Sequence, residues 1–152
     1  MQEHVIDRTG WDDGPWTNEP DREQWKTKSG LPGLIVRNSL GALCGYVAVT
    51  KDHPAFRKNY DDVDVSVHGG LTYANACNGA ICHVPEPGEP DDVWWLGFDC
   101  CHLGDMHPAE TKFEKLPGWP KRPASLTRGS YRDMIYVRAE VESLADQLSA
   151  MK

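Results

Sequence analysis

The chain has 152 residues, a formal net charge of -7, 39% hydrophobic residues and 26% charged residues, which is the size and balance of one globular domain spanning 1–152. It contains no apolar run near the roughly 18–20 residues that cross a bilayer, so a membrane partner is not expected. Acids interleave its most basic stretch, Lys112 to Arg138, so the basic stripe of a nucleic-acid binder is missing as well.

Residues 1–18 are polar and carry Trp11 and Trp16, which predicts an irregular arm pinned by two indoles. From Pro20 to Lys28 a proline, following acids and a stop at Gly30 and Pro32 predict a short helix. Leu34 to Arg37 and Leu43 to Val49 read as strands joined through Asn38-Ser39-Leu40-Gly41, a hairpin. Lys51 to Tyr60 is expected to be a loop. Val63, Val65 and Val67 alternate with Asp64, Ser66 and His68, the period of a half-buried strand. Gly69-Gly70 bends it, and Leu71-Thr72-Tyr73 continues the sheet.

Three prolines make 84–92 a loop. Val93 to Asp99, with Trp94, Trp95, Leu96 and Phe98, is the clearest buried strand, and Cys100 to His107 is a polar turn after it. Residues 108–129 read as mostly irregular. Ser130 is placed to cap a helix reaching Ala150, with Asp133 at its third position. Met134, Val137, Val141, Leu144 and Leu148 form one apolar stripe. That stripe either packs across the sheet or forms the seam of a homodimer. The class that follows is α+β, a mostly antiparallel sheet of about four to six strands under a long C-terminal helix.

The stretches GLPGLIVRN, LCGYVAV, DDVDVSVHGGLTY, HVPEPGEPDDVWWLGFDCCHLGD and YRDMIYVRAEVESLADQL resemble a family of short uncharacterised proteins of phage and prophage genomes. The resemblance covers most of residues 11–150, and VHGGLTY and WWLGFDCCHLGD are its most specific blocks. In the family the second block reads FDC, a small residue, His, a small residue and GD, so Cys101 and Leu103 are bulkier here. The resemblance implies a phage-associated accessory role, with host-defence antagonism as one form of it, and no defined activity.

Chemistry concentrates in two places. His68 lies on the polar side of its segment, before Gly69 and Gly70, which let a ligand or another backbone approach closely. Asp99, His102 and Asp105 follow the buried strand at spacings of three, which brings their side chains to one face of a helical turn. Two carboxylates and an imidazole suit zinc, manganese or iron, with His68 completing the set, and water on such a metal becomes a nucleophile near neutral pH. His68, His102 and Asp99 are thus the catalytic expectation. Gly69, Gly70 and Trp95 are the ligand-binding one, since Trp95 shares a strand face with Asp99. Asp99, His102 and Asp105 are the metal set.

A purely structural reading stands beside this: Asp99 caps the Cys100–Asp105 turn, and His102 is a core histidine bonded to it. A metal-free pocket is the third. Cys77, Cys82 and His83 with Cys100, Cys101 and His102 offer sulfur and nitrogen for a structural zinc, but without the two-residue cysteine spacing of a knuckle. Sequence neighbours such as Cys101 and His102 seldom align as nucleophile and base. Walker, dinucleotide-binding, His-Glu-x-x-His and Gly-x-Ser-x-Gly motifs are all missing.

The expected partner is a small, nucleotide-like molecule. The alternatives are a host protein met by an acidic face of Asp61, Asp62, Asp64, Glu86, Glu89, Asp91 and Asp92, or an assembly role with no site. The odd cysteine count and the polar start Met1-Gln2-Glu3-His4 predict reduced thiols, no signal peptide and a cytoplasmic location.

Overall fold

A computed structural model describes residues 4–121 and 129–152. Five strands form one antiparallel sheet: β1 (Arg22–Lys26), β2 (Pro32–Arg37), β3 (Leu43–Val49), β4 (Tyr73–Ala76) and β5 (Trp94–Asp99). Their order across the sheet is β1-β2-β3-β5-β4. The α+β class holds, with a long C-terminal helix α2 (Met134–Ser149) crossing β2 and β3. Of its stripe, Val137, Val141, Leu144 and Leu148 are completely buried and Met134 partly so, against Ile35, Leu43, Val47, Leu96 and Phe98. The stripe is consumed by the chain's own sheet, which corrects the dimer-seam expectation. Gly45 makes the close approach possible: a Cβ there would lie 2.5 Å from Phe98 Cζ and 2.7 Å from Val141 Cγ2.

The predicted hairpin 34–49 and the buried strand 93–99 are both present, in register Cys44↔Asp99, Tyr46↔Gly97 and Ala48↔Trp95. The helix expected over 20–28 is instead the edge strand β1. Glu23 and Trp25 turn to the helix side, where Trp25 Nε1–H donates to Glu142 Oε1 at 2.9 Å and Arg138 pairs with Glu23 and stacks on the Trp25 ring. Arg22, Gln24 and Lys26 turn to the other side and bond Cys82 O, Val84 and Glu89. Both faces of this strand are polar at most positions, so its period of two carries no hydrophobic signal.

Val63 is buried, Val65 and Val67 half-buried, and Asp64 and Ser66 exposed, so the alternation is correct, yet the segment is no strand. Its backbone is tied to a side chain: Ser66 N–H donates to Gln147 Oε1 at 2.7 Å, and Gln147 Nε2–H donates to Ser66 O at 2.8 Å. A helix glutamine thus takes the place of a neighbouring strand. The helix cap also differs from expectation. Asp133, not Ser130, is the N-cap and accepts from Tyr136 N–H at 2.8 Å. Ser130 instead lies in β7 (Ser130–Tyr131), parallel to β6 (Asp105–Met106). The segment read as irregular holds a short helix, α1 (Ala109–Phe113). Residues 122–128 of that segment lie outside the described residues.

Two further features shape the site. Cys77 and Cys82 form a disulfide while Cys44, Cys100 and Cys101 are free, correcting the all-thiol expectation and removing both sulfurs from any zinc set. Arg37, 0% exposed, ends β2 inside the protein. Its Nε–H donates to Asp21, one terminal nitrogen to Gly41 O and Tyr131 Oη, and the other to Pro20 O and Glu19. All five guanidinium donors are used. Glu19 also accepts from Tyr131 O–H and from Met134 N–H at the start of α2. This knot fixes Tyr131, and Tyr131 fixes the residue after it.

Candidate functional site

Asp105 is the centre of the polar cluster. It sits at the start of β6 with its side chain 2% exposed. Oδ2 accepts from His68 Nε2–H at 2.8 Å and from His102 backbone N–H at 3.0 Å, and Oδ1 accepts from Arg132 Nε–H at 3.0 Å. Burial alone would raise its carboxyl, but these bonds outweigh it and hold the group below the ordinary carboxylate value. The bond to ionised Asp105 puts a proton on His68 Nε2, and His68 Nδ1 shares a hydrogen bond with Tyr136 Oη, 2.7 Å away. Burial first, and then the nearby Glu140 carboxylate, push the Tyr136 phenol upward; Glu140 Oε1 lies 3.4 Å from its hydroxyl.

The turn between β5 and β6 delivers His102. It is not helical, but the three-residue spacing still gathers its groups: His102 Nδ1 lies 3.6 Å from Asp99 Oδ1 and 3.6 Å from Asp105 Oδ2. The His68 and His102 rings are 5.8 Å apart, centre to centre. One nitrogen from each ring and one Asp105 oxygen all lie within 4.8 Å of one another. His102 Nδ1 is buried and has no hydrogen-bond partner, an unusual state for a buried polar atom. The ring packs over Gly69, where φ is +69° and a Cβ would lie 2.2 Å from His102 Cε1. Only glycine fits there, on both counts.

Of the expected residues, the structure thus gathers His68, His102, Asp105 and Gly69. Asp99 stands at the edge: Oδ1 accepts from Cys101 N–H at 3.0 Å and Oδ2 from Thr72 O–H at 3.1 Å. Its cap of the turn is the one the structural reading described. Gly70 has open space around its Cα. Trp95 does not line this cluster, which corrects that expectation. It is fully buried on the opposite sheet face with Leu34, Tyr46 and Ala48, against the His83 ring. Strand alternation puts Trp95 and Asp99 on one side, but Asp99 is the last residue of β5 and its carboxylate is taken by Thr72 and by the Cys101 N–H of the turn. Sequence reasoning missed Tyr136 and Arg132. Both lie beside the helix start, and the YRDM block that contains Arg132 was the available signal.

The free thiols near the site are held toward their protonated form. Burial pushes the Cys44 thiol up to about 12 and drives Cys100 and Cys101 upward too, the reverse of what a reactive thiolate needs. The acidic residues are divided among clefts and ion pairs. Asp62 and Asp64 line a cleft with Met151 and Lys152, while Glu86 and Glu89 line another with Gln24 and His83. Glu89 and Asp92 are paired with Lys26 and Lys51. No described helix is long and apolar enough to cross a membrane. Comparison of the chain with protein-family models, curated proteins and solved structures finds no match.

Proposed function

We propose that this chain is a phage-associated accessory protein whose His68, His102 and Asp105 hold a divalent transition metal of the zinc or manganese type and present it to a small ligand. The observation that carries the reading is the buried, unpartnered His102 Nδ1 facing Asp105 and His68 within ligand range. Metal bonds of about 2 Å put neighbouring ligand atoms about 3–3.5 Å apart. The Asp105–His68 edge of 2.8 Å and the Asp105–His102 edge of 3.6 Å bracket that value. Two imidazoles and one carboxylate favour zinc or manganese over magnesium or calcium.

Binding would exchange the His68–Asp105 hydrogen bond for two metal bonds and move the His68 proton from Nε2 to Nδ1. His68 Nε2 would hold the ion, with Nδ1–H donating to Tyr136 and Tyr136 O–H to Glu140, the kind of support that orients metal-bound histidines. Three protein ligands would leave a position open for water or substrate, and a metal held there would supply Lewis-acid activation of that water. Metal analysis of protein purified without chelator, followed by zinc and manganese titration, tests the reading. One ion per chain is expected, lost in His102→Ala and Asp105→Asn. Protein that takes up neither metal at micromolar concentration rules the centre out and leaves a metal-free pocket.

A further inference from the structure

We infer that the same cluster selects a small, singly charged oxyanion, a phosphodiester or a carboxylate, and that Arg132 is the residue that grips it. The inference rests on the metal reading above and goes beyond it by naming the ligand's charge and its protein contact. Arg132 follows β7, which pairs with β6, so the backbone sets it beside Asp105. Its Nε–H is spent on Asp105 Oδ1, and its guanidinium carbon lies 4.9 Å from the centre of the Tyr136 ring. That stacking fixes the plane of the group.

The two terminal nitrogens have no hydrogen-bond partner among the described residues, and the side chain is 30% exposed. A guanidinium held at one nitrogen and open at the other two is a fork for an oxyanion. Asp105 already spans the gap, with Oδ2 in the ligand triangle and Oδ1 on Arg132. A second bridging anion with two oxygens can span it likewise, one oxygen on the ion and one on the fork.

Charge then decides which oxyanion. Asp99, Asp105 and Glu140 surround the cluster, and their three negative charges cancel a divalent ion plus Arg132. A neutral site accepts one negative charge more readily than two, and the chain's net charge of -7 repels multiply charged ligands at longer range. A dianionic phosphomonoester and a nucleic-acid strand are therefore both disfavoured.

The test separates the two readings by order of addition. Zinc affinity is measured first, for wild type, Arg132→Gln, Arg132→Lys and Glu140→Gln, with circular dichroism to confirm folding. Each protein saturated with zinc is then titrated with dimethyl phosphate, acetate and phenyl phosphate. Wild type should bind dimethyl phosphate or acetate more tightly than dianionic phenyl phosphate, and whichever of the first two binds identifies the source. Arg132→Gln should weaken that binding by about tenfold or more, the usual worth of a hydrogen bond to a charged group. Arg132→Lys should fall between, and Glu140→Gln should tighten the dianion most. Unchanged oxyanion affinity in zinc-loaded Arg132→Gln would show that Arg132 only orients Asp105 and would overturn the inference while leaving the metal reading intact. Tighter binding of the dianion would also overturn it. Failure of wild type to take up zinc overturns both.

Discussion

Two buried polar clusters in this protein differ in one respect, closure. Around Arg37 every donor of the guanidinium is used, two acids balance its charge with Arg8, and the group is sealed from water. Around Asp105 the carboxylate is equally buried, but His102 Nδ1 lacks a partner and Arg132 keeps two nitrogens open. A closed network stabilises and specifies the fold, whereas an open one holds binding capacity at some expense in stability. Openness alone is not a site: both His83 nitrogens are also buried and unpartnered beside Trp95, but among the described residues they belong to no group of three metal-type ligands.

The contrast makes opposite predictions for the two clusters. The largest effect is expected from Arg37→Met, which strands Asp21 and Glu19 in the interior. It should lower unfolding free energy by about 3–5 kcal/mol, as removal of one member of a buried ion pair does. Urea denaturation checks this, and a loss below about 1 kcal/mol would break the comparison.

Next comes Gly69→Ala against Gly70→Ala. Both put a side chain on left-handed backbone, at φ +69° and +80°, for about 1–2 kcal/mol each. Only the first also drives a methyl into His102, so Gly69→Ala alone should lose metal affinity in a zinc titration. Equal zinc affinity in the two variants would separate His102 from the site.

A pH dependence sharpens the knot side. Burial would raise Asp21, but the Ile6 N–H bond and the Arg8 and Arg37 guanidiniums hold it below its ordinary value of 3.8. A carboxyl depressed in the folded state contributes stability that is present above its unfolded value and lost as pH falls through the folded one. Asp21→Asn should therefore be less stable at neutral pH and show a flatter decline below about pH 4. A parallel pair of stability curves would mean that Asp21 does not carry the acid response.

The smallest effect on stability belongs to His102→Ala. Its ring makes no hydrogen bond and is 35% exposed, so the unfolding free energy should change by about 0.5 kcal/mol or less, while the proposed zinc uptake should be lost.

How much of this was readable in sequence depends on the range over which each signal acts. The hairpin, the Trp94–Asp99 strand and the helix stripe carry hydrophobic periods of two or 3.6, and each is where the pattern put it. The strand β1 was misread because Arg-Glu-Gln-Trp-Lys alternates between two different polar partners, the helix on one side and the 82–89 loop on the other. The His68 and His102 blocks were visible as unusual clusters of ligand types. Their joining partner, Asp105, was visible too, but not its role as hub. Arg37 gave no signal, since its acids are 16 and 18 residues away and Tyr131 is 94 away.

One consequence of the Arg37 knot reaches the proposed site. Glu19 and Asp21 precede the first strand, yet through Tyr131 they steady the stretch that brings Arg132 to Asp105. Proteolysis just after Asp21 would remove both acids, leave a bare cation in the interior and slacken the anchor of Tyr131. Such a nick is expected to loosen the Arg132 end of the proposed site, although His68, His102, Asp105 and Arg132 all remain in the chain.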